Sequence, residues 1–166
     1  MGRRRHRASA AISRRRPGIW CELTERFEDE RSALRAVLGD VEELEVLDAA
    51  CVGGEHAAWL RTRGAHVIAL DTHTALADLT RPLPFAKRSF DLVVSSLTLH
   101  QLQDWRPALR EFARVLRRPG WLVFTIQQQS SQRIADDLAA AGFRIRQIDE
   151  GRPPFVLVDA VPTMDH

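Results

Sequence analysis

The amino-acid sequence predicts the α/β class, as a three-layer α/β/α sandwich around a mostly parallel sheet of about six strands. Two observations carry this prediction. Apolar runs of strand length alternate with stretches in which apolar residues recur at helical spacing, and turns rich in glycine, proline and small residues separate them. Strands that alternate with helices of this length build a parallel sheet with helices on both faces.

The individual elements follow from the spacing of the apolar residues. A first helix is predicted before Gly39, because apolar residues recur there at roughly helical spacing: Trp20, Leu23, Phe27, Leu34 and Leu38. Apolar runs predict strands at 44–50, 66–70, 90–97, 121–126, 143–148 and 155–161, and the final strand is expected to be antiparallel. The remaining helices are predicted at 54–63, 104–118 and 130–141.

The predicted helices carry start and stop signals. Asp104 is the expected cap of the helix that Pro119 and Gly120 end. Ser130 or Ser131 is the expected cap of the last helix.

Positive charge is concentrated in residues 1–16, which hold seven arginines and no acidic residue, whereas the rest of the chain has 17 basic and 22 acidic side chains. We therefore expect a disordered, arginine-rich tail at 1–16 and one domain at 17–166. Lys87 is the single lysine of the chain, so a general bias towards arginine accounts for the tail. A nucleic-acid partner is not favoured, although such a tail could neutralise phosphates.

Membrane segments and metal clusters are not expected either. No apolar run reaches the roughly 18 to 20 residues that cross a bilayer, and no apolar stretch of signal-peptide length follows the arginines. Cys21 and Cys51 are the only cysteines, too few for a disulfide framework or a cysteine metal cluster. Two unpaired thiols suit a reducing compartment, so we expect a cytoplasmic protein without a metal site.

The predicted sheet indicates where a ligand would bind. In open α/β sheets, ligands bind beyond the carboxyl ends of the strands, at the point where the strand order reverses. The loops after Ala49, Leu70 and Ser96 are the candidates.

The first of these loops carries a motif. Residues 46–56 read Val-Leu-Asp-Ala-Ala-Cys-Val-Gly-Gly-Glu-His. A turn of small residues lets the backbone approach a ligand closely, and the helix start that follows offers unpaired N–H groups. The segment resembles the first motif of class I S-adenosylmethionine-dependent methyltransferases, an acid followed by Gly-Cys-Gly-x-Gly, with Asp48 as the acid and Gly54 as the last glycine.

Later segments carry the most specific part of the resemblance. They read Asp-Leu-Thr-Arg-Pro-Leu-Pro-Phe at 78–85 and Ser-Phe-Asp-Leu-Val-Val-Ser-Ser-Leu-Thr-Leu-His at 89–100. Both look like the later motifs of the type 11 small-molecule methyltransferases. The resemblance covers residues 44–127 and 131–161, and it implies a Rossmann-like fold, the cofactor S-adenosylmethionine and direct methyl transfer to a small-molecule acceptor.

The same resemblance implies a set of site residues. In the family, the acid at Asp71 accepts hydrogen bonds from the ribose hydroxyls, and the acid at Asp78 faces the adenine amino group. The implied cofactor-binding residues are Asp48, Ala50, Gly53, Gly54, Asp71, Thr72, Asp78, Leu79 and Ser95. His100 follows the strand at 90–97 and is a candidate general base, with a structural or merely exposed histidine as the alternative.

Two departures from the family keep a second hypothesis open. Ala50 and Val52 stand where the family has its first two glycines, and a β-branched side chain adds bulk beside the cofactor. The family has about 20 further residues between Asp71 and Asp78, so one edge strand and its helix are missing and a new edge is exposed. The sequence therefore leaves two alternatives, an active methyltransferase and a non-catalytic, methyltransferase-like pseudoenzyme or protein-interaction module. The new edge suggests a homodimer.

Overall fold

The computed structural model describes residues 30–51, 54–71, 79–127, 129–150 and 155–163. Its helices are α1 (Glu30–Leu38), α2 (Glu55–Thr62), α3 (Arg106–Val115) and α4 (Ser131–Ala140), with a short 3₁₀ helix at Leu99–Gln101. Its strands are β1 (Glu45–Cys51), β2 (His66–Asp71), β3 (Phe90–Ser96), β4 (Leu116–Gln127), β5 (Phe143–Asp149) and β6 (Phe155–Pro162).

The six strands form one sheet in the order β2-β1-β3-β4-β6-β5. β1 pairs in parallel with both β2 and β3, and β3 pairs in parallel with β4. β6 lies between β4 and β5 and runs antiparallel to both. The chain leaves β1 towards one edge and returns through β3 on the other side of β1, so the strand order reverses beside β1.

Helices cover both faces of the sheet. On one face, α1 and α2 place Leu34, Leu38 and Leu60 in a cluster with apolar residues of β1, β3 and β4. On the other face, α3 and α4 bury apolar residues that include Phe112 and Leu138. The predicted fold class, a three-layer α/β/α sandwich with a mostly parallel sheet and an antiparallel final strand, is confirmed.

The boundary between α3 and β4 differs from the prediction. We expected the helix to continue to residue 118 and the strand to begin at 121, but α3 ends at Val115 and β4 begins at Leu116. Leu116 is extended because its backbone pairs with Phe90 of β3. Gly120 therefore lies within a strand, where an added Cβ would be 2.6 Å from the Arg117 carbonyl oxygen, a distance that excludes any side chain.

The helix caps differ in detail from the predicted ones. The capping position of α3 is Trp105, and Asp104 accepts a hydrogen bond of 3.0 Å from the Arg106 N–H from one residue further out. Ser130 occupies the capping position of α4, but its hydroxyl makes no capping hydrogen bond.

β2 forms one edge of the sheet, which agrees with the expectation that the family's edge strand is missing and that a new edge is exposed. The described residues that follow β2, 79–89, contain no helix or strand before β3 begins. Ile68 on β2 is 46% exposed. Among the described segments, it is the large hydrophobic side chain that lies exposed to solvent.

Several predictions fall on other parts of the chain. The arginine-rich tail, Trp20, Leu23 and Phe27 lie outside the described residues, and so does the expected domain boundary at residue 17. Within the described residues, no helix is long and apolar enough to cross a bilayer.

Candidate functional site

Asp48 near the end of β1 is the most unusual polar group at the carboxyl edge of the sheet. Its side chain is fully buried, and among the described residues neither carboxylate oxygen has a hydrogen-bond partner. Burial raises the pKa of Asp48 to about 7, because the nearby Ala57 N–H and the charge of Arg61 only partly offset the loss of water. The carboxyl group thus lies beneath the first turn of α2, and no cationic side chain of the described segments contacts it.

Gly54 forms the turn between β1 and α2. Its φ of 71° lies in the left-handed region, which glycine adopts without strain, and its carbonyl accepts a 2.9 Å hydrogen bond from the Ala58 N–H. An added Cβ at Gly54 meets no atom of the described residues within 4 Å, so its left-handed conformation is the observed reason for a glycine here. Ala50 lies within β1, whereas Val52 and Gly53 lie outside the described residues.

Asp71 is the last residue of β2. Its backbone is in register with Cys51 of β1, so the sheet brings residue 71 to the edge where the Gly54 turn begins. Thr72 and Asp78 lie outside the described residues. Leu79 is 1% exposed and its side chain packs in the core on the α3 side, which leaves only its backbone for contact with a ligand.

Ser95 and Ser96 end β3 and point to opposite faces of the sheet, because neighbouring strand residues alternate. The Ser95 hydroxyl is buried and has no partner among the described residues. The Ser96 hydroxyl donates a hydrogen bond of 2.9 Å to Oε1 of Glu30.

Glu30 was not identified from the sequence. It is the first residue of α1 and only 9% exposed, and its Oε1 also accepts a hydrogen bond from the hydroxyl of Thr125 on β4. Its Oε2 lies 3.9 Å from Nε2 of the buried His56. The sequence holds one indication of a buried polar contact at this place, because Thr125 is the polar residue in the otherwise apolar run 121–126.

His100 lies in the 3₁₀ helix that follows β3. Its Nδ1 accepts a 3.4 Å hydrogen bond from the backbone N–H of Gln127, the last residue of β4. Partial burial lowers the pKa of His100 below its ordinary value. The imidazole is therefore neutral at pH 7 and lies beside the ends of β3 and β4.

The predicted site residues are thus partly brought together. Asp48, Gly54 and the backbone of Asp71 lie at the carboxyl ends of β1 and β2, and Ser95 and His100 lie at the end of neighbouring β3. Trp105, at the start of α3, is 4% exposed and packs edge-to-face on Phe124, so it belongs to the core. No group of three or more potential metal ligands occurs within the described segments.

Comparison with known proteins agrees with this geometry. Residues 47–124 match a family model described as a methyltransferase domain. A malonyl-[acyl-carrier protein] O-methyltransferase from Pseudescherichia vulneris is 35% identical over 107 residues, which cover 55% of this chain and 42% of that protein. The chain spans less than half the length of the curated relatives that it matches.

Solved structures show the same fold. An S-adenosylmethionine-dependent methyltransferase from Mesorhizobium loti superposes with a TM-score of 0.69 at 23% identity, over 78% of this chain and 95% of that one. A Burkholderia thailandensis 1,6-didemethyltoxoflavin-N1-methyltransferase with bound 1,6-didemethyltoxoflavin and S-adenosylhomocysteine gives a TM-score of 0.67 at 18% identity, over 97% of this chain and 87% of that one.

Fold and strand-end geometry together define a class I, Rossmann-like methyltransferase architecture. The methyltransferase-domain model matches 78 of the 166 residues, 47–124, so the resemblance to methyltransferases expected from the sequence is confirmed over that segment.

Proposed function

We propose that this chain is an S-adenosylmethionine-dependent methyltransferase that acts on a small molecule by direct methyl transfer. The observation that supports it most is the buried carboxyl group of Asp48, which has no hydrogen-bond partner among the described residues. A buried carboxylate is costly unless a cation or a donor faces it. S-adenosylmethionine carries an ammonium and a sulfonium group, so it fits a site beside this carboxylate.

The proposed cofactor site extends along the carboxyl ends of β1, β2 and β3. Asp71 would hold the ribose hydroxyls, Asp78 the adenine amino group, and the backbone at Leu79 the adenine ring. The full set comprises Asp48, Ala50, Gly53, Gly54, Asp71, Thr72, Asp78, Leu79 and Ser95. The left-handed Gly54 and the N–H groups at the start of α2 suit a close approach by the methionine end.

The bound cofactor supplies a methyl group on a positively charged sulfur, and its transfer to an acceptor nucleophile leaves S-adenosylhomocysteine. The chain contributes chiefly by orienting the acceptor and excluding water. His100 is the proposed catalytic residue. Its Nδ1 is engaged by the Gln127 N–H, so the neutral ring carries its proton on Nε2 and orients the acceptor by donating a hydrogen bond. The general-base role expected from the sequence requires that the bond to Gln127 break.

The partner and the location in the cell rest on separate observations. The type 11 resemblance indicates a small molecule as the acceptor. We do not propose the relatives' own acceptor for this chain, because the chain spans less than half of their length. We place the protein in the cytoplasm, where two unpaired cysteines remain reduced. A second copy would pair through the β2 edge, where Ile68 is exposed.

Calorimetric titration with S-adenosylmethionine and S-adenosylhomocysteine tests the proposal. We expect micromolar binding to the wild type, a loss of about tenfold or more in Asp71→Ala because charged hydrogen bonds disappear, and unchanged binding in the control Asp136→Asn. Asp136 is an exposed carboxylate on α4, a helix that packs on β5 at the edge of the sheet opposite β2. Val52→Gly tests whether that side chain obstructs the loop.

The outcomes separate the two sequence hypotheses. Binding that appears only in Val52→Gly would mean a site closed by one side chain. No heat from any folded variant would overturn the proposal and support a non-catalytic relative. Transfer of a labelled methyl group to a panel of small acids, amines and thiols would then identify the acceptor class of a binding-competent protein.

A further inference from the structure

Glu30 joins elements that are far apart in the sequence. Its Oε1 accepts hydrogen bonds from the hydroxyls of Ser96, at the end of β3, and Thr125, near the end of β4. A carboxylate that is only 9% exposed loses most of its hydration, and removal of a carboxylate from water costs several kcal/mol. The two hydroxyls offset part of this cost by donating to the same oxygen.

The second oxygen of Glu30 reaches α2. Oε2 lies 3.9 Å from Nε2 of His56, and the two side chains are only 10% and 7% exposed. His56 is the second residue of α2 and follows the Gly54 turn after a single intervening residue. The carboxylate therefore connects the ends of β3 and β4 with the first turn of α2.

Asp48 contacts the same turn from below. Three polar residues each lie two positions after a valine of the cluster that α1 and α2 cover: Asp48 after Val46, Ser96 after Val94, and Thr125 after Val123. Their side chains therefore share one face of the sheet. Since Ala57 approaches Asp48 and His56 approaches Glu30, two acidic groups flank the start of α2.

Stability alone does not explain a buried glutamate at this position. Replacement of a buried ionic group by an apolar side chain of similar size is often neutral or stabilising. A carboxylate at this position is better explained by geometry, since its hydrogen bonds fix it to the ends of β3 and β4 while its other oxygen faces the imidazole of His56 on α2. A leucine would fill the same space without specifying that arrangement.

We propose that Glu30 is a positioning residue, which holds the first turn of α2, and with it the Gly54 turn, in the geometry that binds the methionine end of the cofactor. This inference rests on the proposed function. Glu30 acts through His56, Ser96 and Thr125 and does not itself contact the reacting atoms. Its removal therefore weakens cofactor binding more than it weakens the fold.

The test compares Glu30→Gln with Glu55→Gln in the full chain. Glu55 also links α1 to α2, through an ion pair with Arg31, but both side chains are more than half exposed. We expect Glu30→Gln to raise the Kd for S-adenosylmethionine by about tenfold, and Glu55→Gln to change it by less than about twofold. Both variants should keep the thermal midpoint within a few degrees of the wild type.

A double-mutant cycle separates positioning from a general structural effect. If Glu30 acts through His56, the double variant Glu30→Gln/His56→Gln binds the cofactor no more weakly than the weaker single variant. Fully additive losses would overturn the proposal. Ser96→Ala removes one donor to Glu30 with little change in volume and should raise the Kd by about threefold. If Glu30→Gln does not fold, an unchanged Kd in Ser96→Ala overturns the proposal.

Hydrogen exchange of the unliganded protein gives a readout that does not depend on cofactor binding. We expect faster exchange at the amides of Ala57 and Ala58 in Glu30→Gln but not in Glu55→Gln. Equal exchange in both variants would show that Glu30 does not hold α2. A wild type that binds no cofactor overturns the proposed function instead, and the exchange data then decide by themselves whether Glu30 holds the turn.

Discussion

The backbone N–H of Gln127 donates a 3.4 Å hydrogen bond to Nδ1 of His100, so the last residue of β4 orients the imidazole that follows β3. In a neutral imidazole, the nitrogen that accepts a hydrogen bond carries no proton, and the other nitrogen carries it. Burial lowers the pKa of His100, which keeps the ring neutral. Nε2 is then a donor, suited to orient an acceptor molecule.

Two substitutions at His100 distinguish a hydrogen-bond donor from a general base. The amide nitrogen of glutamine can replace Nε2–H, whereas the shorter asparagine replaces only the Nδ1 acceptor. We expect His100→Gln to retain kcat/KM within about tenfold and His100→Asn to lose about a hundredfold, with an unchanged cofactor Kd in both. Equal losses of a hundredfold or more, together with disappearance of the acidic limb of the pH–rate profile, would instead identify a general base.

The Asp48 carboxyl group should make cofactor binding depend on pH. Its pKa of about 7 means that most molecules hold a neutral Asp48 at about pH 5.5, whereas a cationic cofactor favours the ionised form. S-adenosylmethionine affinity should therefore rise by about tenfold from pH 5.5 to pH 7. Asp48→Asn provides the control, because protonation of the cofactor itself affects binding equally in the wild type and in the variant. A rise of equal size in the variant would show that another group is responsible.

The fold could be predicted because its signals are local. Apolar runs and helical spacing identified the six strands and the four α-helices of the described residues to within a few residues, whereas the short 3₁₀ helix was not predicted. The largest error lay at α3 and β4, where Pro119 and Gly120 resembled a helix end. The strand in fact begins at Leu116, because pairing with Phe90 extends the backbone before the proline.

The site could be predicted only where a motif marks it. Asp48 and Gly54 lie in a contiguous segment, and the resemblance identified both. Glu30 is 66 residues from Ser96 and 95 from Thr125, so their hydrogen bonds arise from the docking of α1 on the sheet. No spacing rule connects residues at such separations, because tertiary packing alone brings them together.

The exposed β2 edge should mediate self-association. Ile68 is 46% exposed on an edge strand, and unpaired strand edges template pairing with another chain. We expect sedimentation velocity at about 100 μM to show dimers of the wild type and monomers of Ile68→Lys, because a charge on the edge opposes pairing. The exposed Arg144→Lys on β5, at the opposite edge, should leave the dimer unchanged. A monomeric wild type contradicts the prediction.

The Glu111–Arg114 pair on α3 holds the loop that follows Leu79. Arg114 donates hydrogen bonds to the carbonyl oxygens of Phe85 at 2.8 Å and Leu83 at 3.0 Å, and Glu111 accepts one of 2.7 Å from the Leu83 N–H. Arg114→Lys removes the guanidinium fork, because an ammonium cannot reach both carbonyls and the carboxylate together.

We therefore expect Arg114→Lys to lower the free energy of unfolding by about 2 kcal/mol in urea titrations. It should also weaken S-adenosylmethionine binding, because the loop leads from the proposed adenine site. Arg110→Lys on the exposed face of α3 is the matched control and should change stability by less than about 0.5 kcal/mol. Equal stabilities of the two variants would mean that the fork does not hold the loop.

Asp48 should also shape the pH dependence of stability. Its pKa is about 7 in the folded chain and 3.8 in an unfolded one, so the native state binds the extra proton between these values. The free energy of unfolding contributed by this group therefore falls as pH rises from about 4 to about 7 and is constant above that range. The total fall is at most about 4 kcal/mol, because one pKa unit corresponds to 1.36 kcal/mol. Urea titrations at several pH values should show a steeper decline for the wild type than for Asp48→Asn, which cannot ionise. Identical slopes would mean that Asp48 is ionised in the folded protein at pH 5, which implies that a donor outside the described residues solvates its carboxylate.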